Sequence, residues 1–274
     1  MSEKLEVIDG IVIVKVGTST MFRKVNGQER LNRSAMHQIG SQVLRLRKAG
    51  NHVAIVTSGA VTSGMEAMGV KNRPTGNESM SLIQHLASVG LRHILNAWFE
   101  AMDHQVENGG LLVTRRELDL DAPEHDEALR TIHTHLIHGV IPIVNENDGI
   151  THRELARESF GQNDTLSAIF AAQIAQSELF GNNIRLVVLS DIDGVYADPD
   201  DPSTLLKVID DLEGYSGIAL DTSNLNAKGG MKTKFEAADI CRGAGVEMWI
   251  ANGSVDNAIE RAINGEIGTY FPVS

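Results

Sequence analysis

The chain is 274 residues long and 42% hydrophobic, with a formal net charge of −12 and a single cysteine, Cys241. That much apolar sequence fills a large core, in one domain or two lobes. The acidic balance opposes binding to nucleic-acid phosphates, and one cysteine excludes an internal disulfide framework or a multi-cysteine zinc site. No run approaches the roughly 18 apolar residues of a membrane span, and Met1 to Asp9 has neither the basic nor the apolar region of a secretion signal. A cytoplasmic protein without membrane or nucleic-acid partners is expected.

In chain order, Ile11 to Val16 is a near-continuous β-branched run, the pattern of a strand buried on both faces in a parallel sheet. Asn32 to Ala49 has helical spacing and stops at Gly50, and Val53 to Val56 is a strand delivering Thr57-Ser58-Gly59-Ala60. Helical patterns at about Ser79 to Met102 and Pro123 to His138 bracket a strand at Leu111 to Val113. Ile141 to Val144 then delivers Asn145-Glu146-Asn147-Asp148, and Asp164 is placed to cap a helix over Thr165 to Ala175. Leu186 to Leu189 leads into the turn-rich Ser190 to Tyr196, with another strand near Leu205 to Ile209. Gly229-Gly230 precedes a helix over about Met231 to Gly243, and Met248 to Ile250 is the last strand read. Strands alternating with helices predict an α/β fold with a parallel core, whose ligand loops gather at the carboxyl ends of the strands.

Within that pattern two lysines stand out. Lys15 lies in the apolar first strand, where an ammonium must pair with an anion or reach the sheet's carboxyl edge; Gly17, Thr18 and Ser19 behind it would admit a phosphate. Lys234 sits one turn inside the helix opened by Gly229-Gly230, whose backbone N–H groups would face the same anion. Neither segment matches the Walker pattern or the dinucleotide fingerprint. Cys241 reads as core packing, and His133, His135 and His138 as solvated helix residues rather than metal ligands, so no protein metal site is expected. Taken singly, Asn145 to Asp148 and Asp191 to Gly194 also fit ordinary turns, and Asp164 an N-cap.

Together, Lys15-Val16-Gly17-Thr18-Ser19, Thr57-Ser58-Gly59-Ala60, Val144-Asn145-Glu146-Asn147-Asp148, Asn163-Asp164 before Leu166-Ser167-Ala168, Asp191 with Gly194-Val195-Tyr196, and Gly229-Gly230-Met231 before Thr233-Lys234 resemble the glutamate 5-kinases of the amino acid kinase superfamily. The resemblance runs in order along essentially the whole chain. It implies a three-layer αβα sandwich around a mainly parallel open sheet, with an amino acid lobe over about 1–180 and a nucleotide lobe over about 181–274. It further implies transfer of the γ-phosphoryl group of ATP, with Mg2+, to a side-chain carboxylate, as in proline biosynthesis. By the same resemblance Lys15, Asp164 and Lys234 are catalytic, and Ser58, Gly59, Asn145, Asp148 and Asn163 hold the amino acid. Lys15, Gly17, Thr18, Ser190, Asp191, Tyr196, Gly229, Gly230, Met231 and Lys234 contact the nucleotide. A homo-oligomer, dimer or tetramer, is the family habit.

Departures fall mainly on the substrate side. The usual Gly-Asp-Asn-Asp is Gly161-Gln162-Asn163-Asp164, replacing a carboxylate by an amide, and a usual small hydroxyl is Lys228, which either meets phosphate or points to solvent. The segments Ala87 to Leu91 and Glu127 to Arg130 also differ from the usual pattern, and proline feedback is not expected. Because the chain ends near where the kinase domain should, the RNA-modification-type accessory domain of many relatives is not expected. Three readings compete: a glutamate 5-kinase, a relative acting on another small carboxylate, and a non-catalytic ligand-binding homologue, against which the retained Lys15, Asp164 and Lys234 argue.

Overall fold

A computed structural model describes residues 6–75, 79–114, 116–150, 163–215 and 225–273, with side chains of the last segment from residue 230 onward. The first strand, β1 (Ile11–Val16), is buried throughout, as its β-branched run requires. It lies at the centre of a seven-stranded sheet with β4 (His52–Thr57), β6 (Ile141–Glu146) and β5 (Asn108–Val113) on one side. On the other side lie β7 (Ile184–Ser190), β10 (Glu247–Asn252) and β11 (Thr269–Phe271). All neighbours are parallel except β11, which closes the edge antiparallel to β10.

The period of two along β1 sorts its side chains. Val12, Val14 and Val16 pack into one core with α2 (Arg33–Lys48), α4 (Met80–Ala101) and α8 (Ala258–Ile263). Ile11 and Ile13 face the opposite core with α5 (Pro123–Ile137), α6 (Asn163–Gln176) and α7 (Leu225–Gly243). This is the expected three-layer sandwich. Lys15 shares the parity of Ile11 and Ile13, so it is aimed at α6 and α7.

Several elements differ from the sequence expectation. A hairpin of β2 (Phe22–Val25) and β3 (Gln28–Leu31) turns on Asn26-Gly27, both with positive φ (52° and 76°), the type I′ signature that its dipeptide announces. A short helix, α3 (Ala60–Met68), comes after Gly59, and the strand expected over Leu205 to Ile209 is only β9 (Leu205–Leu206), paired with β8 (Val195–Tyr196) outside the main sheet. The last long helix starts at Leu225 rather than Met231, so Gly229 and Gly230 lie within it and do not open it. His133 is a core residue, not a solvated one: it is fully buried, its Nε2 donates to the Glu6 carbonyl at 2.6 Å, and its ring meets Phe180 edge-on. His135 is half-buried, and His138 alone of the three is exposed. Cys241 is buried in the core, where loss of solvation pushes its thiol pKa up. Among the described residues no helix is long and apolar enough to cross a membrane.

Candidate active site

At the carboxyl ends of β1, β4, β6 and β7 lies an open cavity of about 450 Å³. The last residues of each strand and the first of its outgoing loop form the walls. Strand β1 supplies Lys15 and then Gly17 and Thr18; β4 supplies Ser58 and Gly59; β6 supplies Glu146 and Asp148; β7 supplies Ser190 and Asp191. Gly59 has φ +89°, and a Cβ there would lie 2.5 Å from the Phe22 ring, so this turn from β4 into α3 requires glycine. A Cβ at Gly17 would lie 3.3 Å from Lys15 Nζ, so glycine keeps the approach to that ammonium open.

At the floor, Asp164 from the first turn of α6 is 1% exposed and joins the two lysines. Lys15 Nζ is 2.5 Å from its Oδ1 and Lys234 Nζ 3.1 Å from its Oδ2. Lys15 and Lys234 are themselves only 8% and 7% exposed. Thr233 adds a hydroxyl donor to Oδ2 at 3.4 Å, and Lys234 also donates to the Gly230 carbonyl at 3.4 Å. Burial pulls the Lys15 pKa down, Asp164 opposes that, and Lys234 reinforces it. Burial would raise the Asp164 carboxyl, but the two ammonium groups together hold it below the usual range. One carboxylate thus neutralises half of a buried pair of cations, leaving a net positive floor that suits a polyanion.

The second wall is amide-rich. Asn163 Nδ2 donates to the Thr57 carbonyl at 2.6 Å and the Ser58 hydroxyl at 2.7 Å, and lies 3.5 Å from Asn145 Oδ1. Asn145 is buried beneath this network, with its Nδ2 on the Glu146 carbonyl at 3.1 Å. Burial raises the Asp148 pKa to about 6, Glu146 pushes the same way, and Arg73 partly offsets both. On the opposite side the Ser190 hydroxyl donates to Asp191 Oδ1 at 3.2 Å.

Of the residues singled out from sequence, Lys15, Gly17, Thr18, Ser58, Gly59, Asp148, Asn163, Asp164, Ser190, Asp191 and Lys234 line this one cavity. Tyr196 does not line it; its hydroxyl donates to Asp193 Oδ2 at 2.9 Å, and Asn252 donates to the other oxygen at 2.8 Å. Met231 packs against the core. Gln162, the side chain of Lys228 and the substrate-side segment over 151–162 lie outside the described residues. Sequence reading missed Arg73, Thr62 and Glu146, all of which line the cavity. Glu146 was visible inside its motif, whereas Arg73 carries only the weak signal of a cation before a proline in a turn-rich stretch. No group of three or more His, Cys, Asp or Glu able to hold a metal forms among the described residues.

Comparison with known proteins identifies the family. The model of the "Amino acid kinase family" matches residues 10–252. A glutamate 5-kinase of Thermoanaerobacter sp. (strain X514) is 33% identical over 265 residues, 95% of this chain and 67% of that protein. One from Herpetosiphon aurantiacus is 38% identical over 274 residues, covering 96% and 68%. The carbamate kinase of Giardia lamblia, solved bound to AMP-PNP, superposes with a TM-score of 0.64 at 16% identity over 97% of this chain and 99% of that one, which places the fold. The chain belongs to the amino acid kinase family, on its glutamate 5-kinase branch.

Proposed function

We propose that this chain transfers the γ-phosphoryl group of ATP to the side-chain carboxylate of glutamate, giving γ-glutamyl phosphate and ADP, the first step of proline biosynthesis. The observation that carries the reading is the buried Lys15–Asp164–Lys234 cluster on the cavity floor. A glutamate carboxylate, with a pKa of about 4, is already ionised at neutral pH and needs no general base. A carboxylate oxygen forms a bond to the γ-phosphorus as the bridging bond to the β-phosphate breaks, with ADP leaving. The obstacle is repulsion between two anions, and Lys15 and Lys234 offset the charge on the transferring phosphoryl oxygens while Asp164 fixes both ammonium groups. In this reading Ser58, Gly59, Asn145, Asp148 and Asn163 hold the amino acid, with Asp148 facing its ammonium. Gly17, Thr18, Ser190, Asp191, Tyr196, Gly229, Gly230 and Met231 serve the nucleotide, whose lobe is about 181–274, the acceptor's being about 1–180. Mg2+ would be carried largely by the ATP phosphates, with cavity carboxylates such as Asp191 completing its shell, and would further neutralise phosphate charge. The same reading takes the protein as a cytoplasmic dimer or tetramer.

Gln162, in place of the family's usual carboxylate, favours a second reading in which the acceptor is another small carboxylate. One experiment separates the two: ADP release with Mg-ATP and glutamate, aspartate, N-acylated glutamate or dicarboxylates, with hydroxylamine present to trap acyl phosphate. Hydroxamate from glutamate supports the first reading, hydroxamate only from another acid the second, and silence across the panel with ATP still bound rejects both. In the same assay Lys234→Met should lower kcat by about 100-fold or more while the thermal transition persists, because it removes a cation but keeps stem volume. Unchanged turnover would remove Lys234 from the mechanism.

A further inference from the structure

Among the described residues three cations line the cavity, and two of them are committed to Asp164. The third, Arg73, comes after α3 and reaches the rim, where its guanidinium lies 3.5 Å from the Thr62 hydroxyl. Among the described residues it makes no ion pair, although it shares the cavity with Glu146 and Asp148 and is the one cation acting on the Asp148 carboxyl. It also borders a side groove of about 500 Å³ beside the β2–β3 hairpin. The cavity wall therefore carries both a guanidinium and a carboxylate that burial leaves poorly solvated. A zwitterionic head group, with a carboxylate and an ammonium on one carbon, carries the two opposite charges, and a planar guanidinium can take such a carboxylate with two parallel hydrogen bonds.

Resting on the glutamate reading, we infer that Arg73 is a substrate-binding and specificity-determining residue that clamps the acceptor's α-carboxylate, while Asp148 faces the α-ammonium. This places the backbone end of the amino acid at the rim and its side-chain carboxylate toward the lysine floor. Attack is then set by the length of the acceptor, because the head group is anchored at a fixed distance from the phosphoryl site. Aspartate, one methylene shorter, anchored in the same way would fall short of the floor.

The test is steady-state kinetics of the full chain with Mg-ATP for wild type, Arg73→Gln, Arg73→Lys and Lys71→Gln. For Arg73→Gln the glutamate KM should rise about 30-fold, with kcat and the ATP KM within about threefold of wild type; a charge-assisted bidentate contact is of that size. Arg73→Lys should recover part of the loss, and Lys71→Gln, an exposed neighbour outside the cavity, should match wild type. The decisive readout is inhibition by 4-aminobutanoate, which keeps the ammonium and the reacting carboxylate but lacks the α-carboxylate. Its inhibition constant should be the same for wild type and Arg73→Gln. An unchanged glutamate KM in Arg73→Gln, or an equal loss of affinity for 4-aminobutanoate, would overturn the assignment while leaving the glutamate reading intact. Wild type inert toward glutamate would overturn that reading and the assignment with it.

Discussion

Two carboxylates in one cavity, Asp164 buried and Asp148 half-buried, have their pKa values driven apart by their surroundings. Asp164 has an ammonium on each oxygen and stays ionised, whereas burial, reinforced by Glu146, raises Asp148 from an ordinary 3.8 to about 6. The folded state holds the Asp148 proton more tightly than the unfolded chain, so its favourable contribution is complete below about 4 and is lost as pH rises through about 6. At pH 8 an ionised Asp148 costs the empty protein stability. Asp148→Asn should therefore raise the urea-unfolding free energy by on the order of 1–2 kcal/mol at pH 8, with little change near pH 4, a figure discounted for partial exposure. Under the proposed function the same variant weakens glutamate binding, and the wild-type glutamate KM should climb as pH falls below about 6. A variant destabilised at pH 8 would contradict this account of Asp148.

Between elements, the acceptor wall depends on how closely α3 crosses α4. A Cβ on Gly64 would lie 1.9 Å from the Leu86 carbonyl oxygen, and one on Gly90 would lie 1.8 Å from the Ala60 carbonyl oxygen, so each helix presents a glycine to the backbone of the other. That crossing fixes the start of α3, next to Ser58 and Gly59. Gly90→Ala should cost about 2 kcal/mol or more through overpacking, despite alanine's better helix propensity, and lower Tm by about 4 °C or more in calorimetry. A more stable variant would mean that the crossing is not tight. The major elements were legible because they depend on patterns a sequence displays: β-branched runs for β1 and β7, and apolar spacing closed by glycine for α2. The helix α3 was not, since it is short, rich in small residues, and stabilised by contact with α4 rather than by its own periodicity. Lys15 and Lys234 were legible as buried charges. Arg73 was not, because an exposed arginine in a loop acquires meaning only when the fold brings it into one cavity with Asp148.

At the scale of the whole molecule, the proposed lobes share one continuous sheet. Strand β1 pairs on one side with β4, close in sequence, and on the other with β7, where Ile11 is in register with Ile184 and Val16 with Leu189. A division near residue 180 would separate β1 from β7 and leave the open edge of an apolar central strand exposed. A fragment of residues 1–180 should accordingly show no cooperative thermal transition by circular dichroism, and a sharp transition would mean that the lobes fold independently. The same topology bears on the order of assembly during synthesis. A chain emerging from the ribosome carries Lys15 from the outset, yet the strand that holds it gains its second partner only after two thirds of the protein has been made, and Lys234 arrives later still. Contacts so distant in sequence form slowly and leave unpaired edges open to misassociation meanwhile. The central position of β1 thus makes completion of the lysine floor a late event in the synthesis of each molecule.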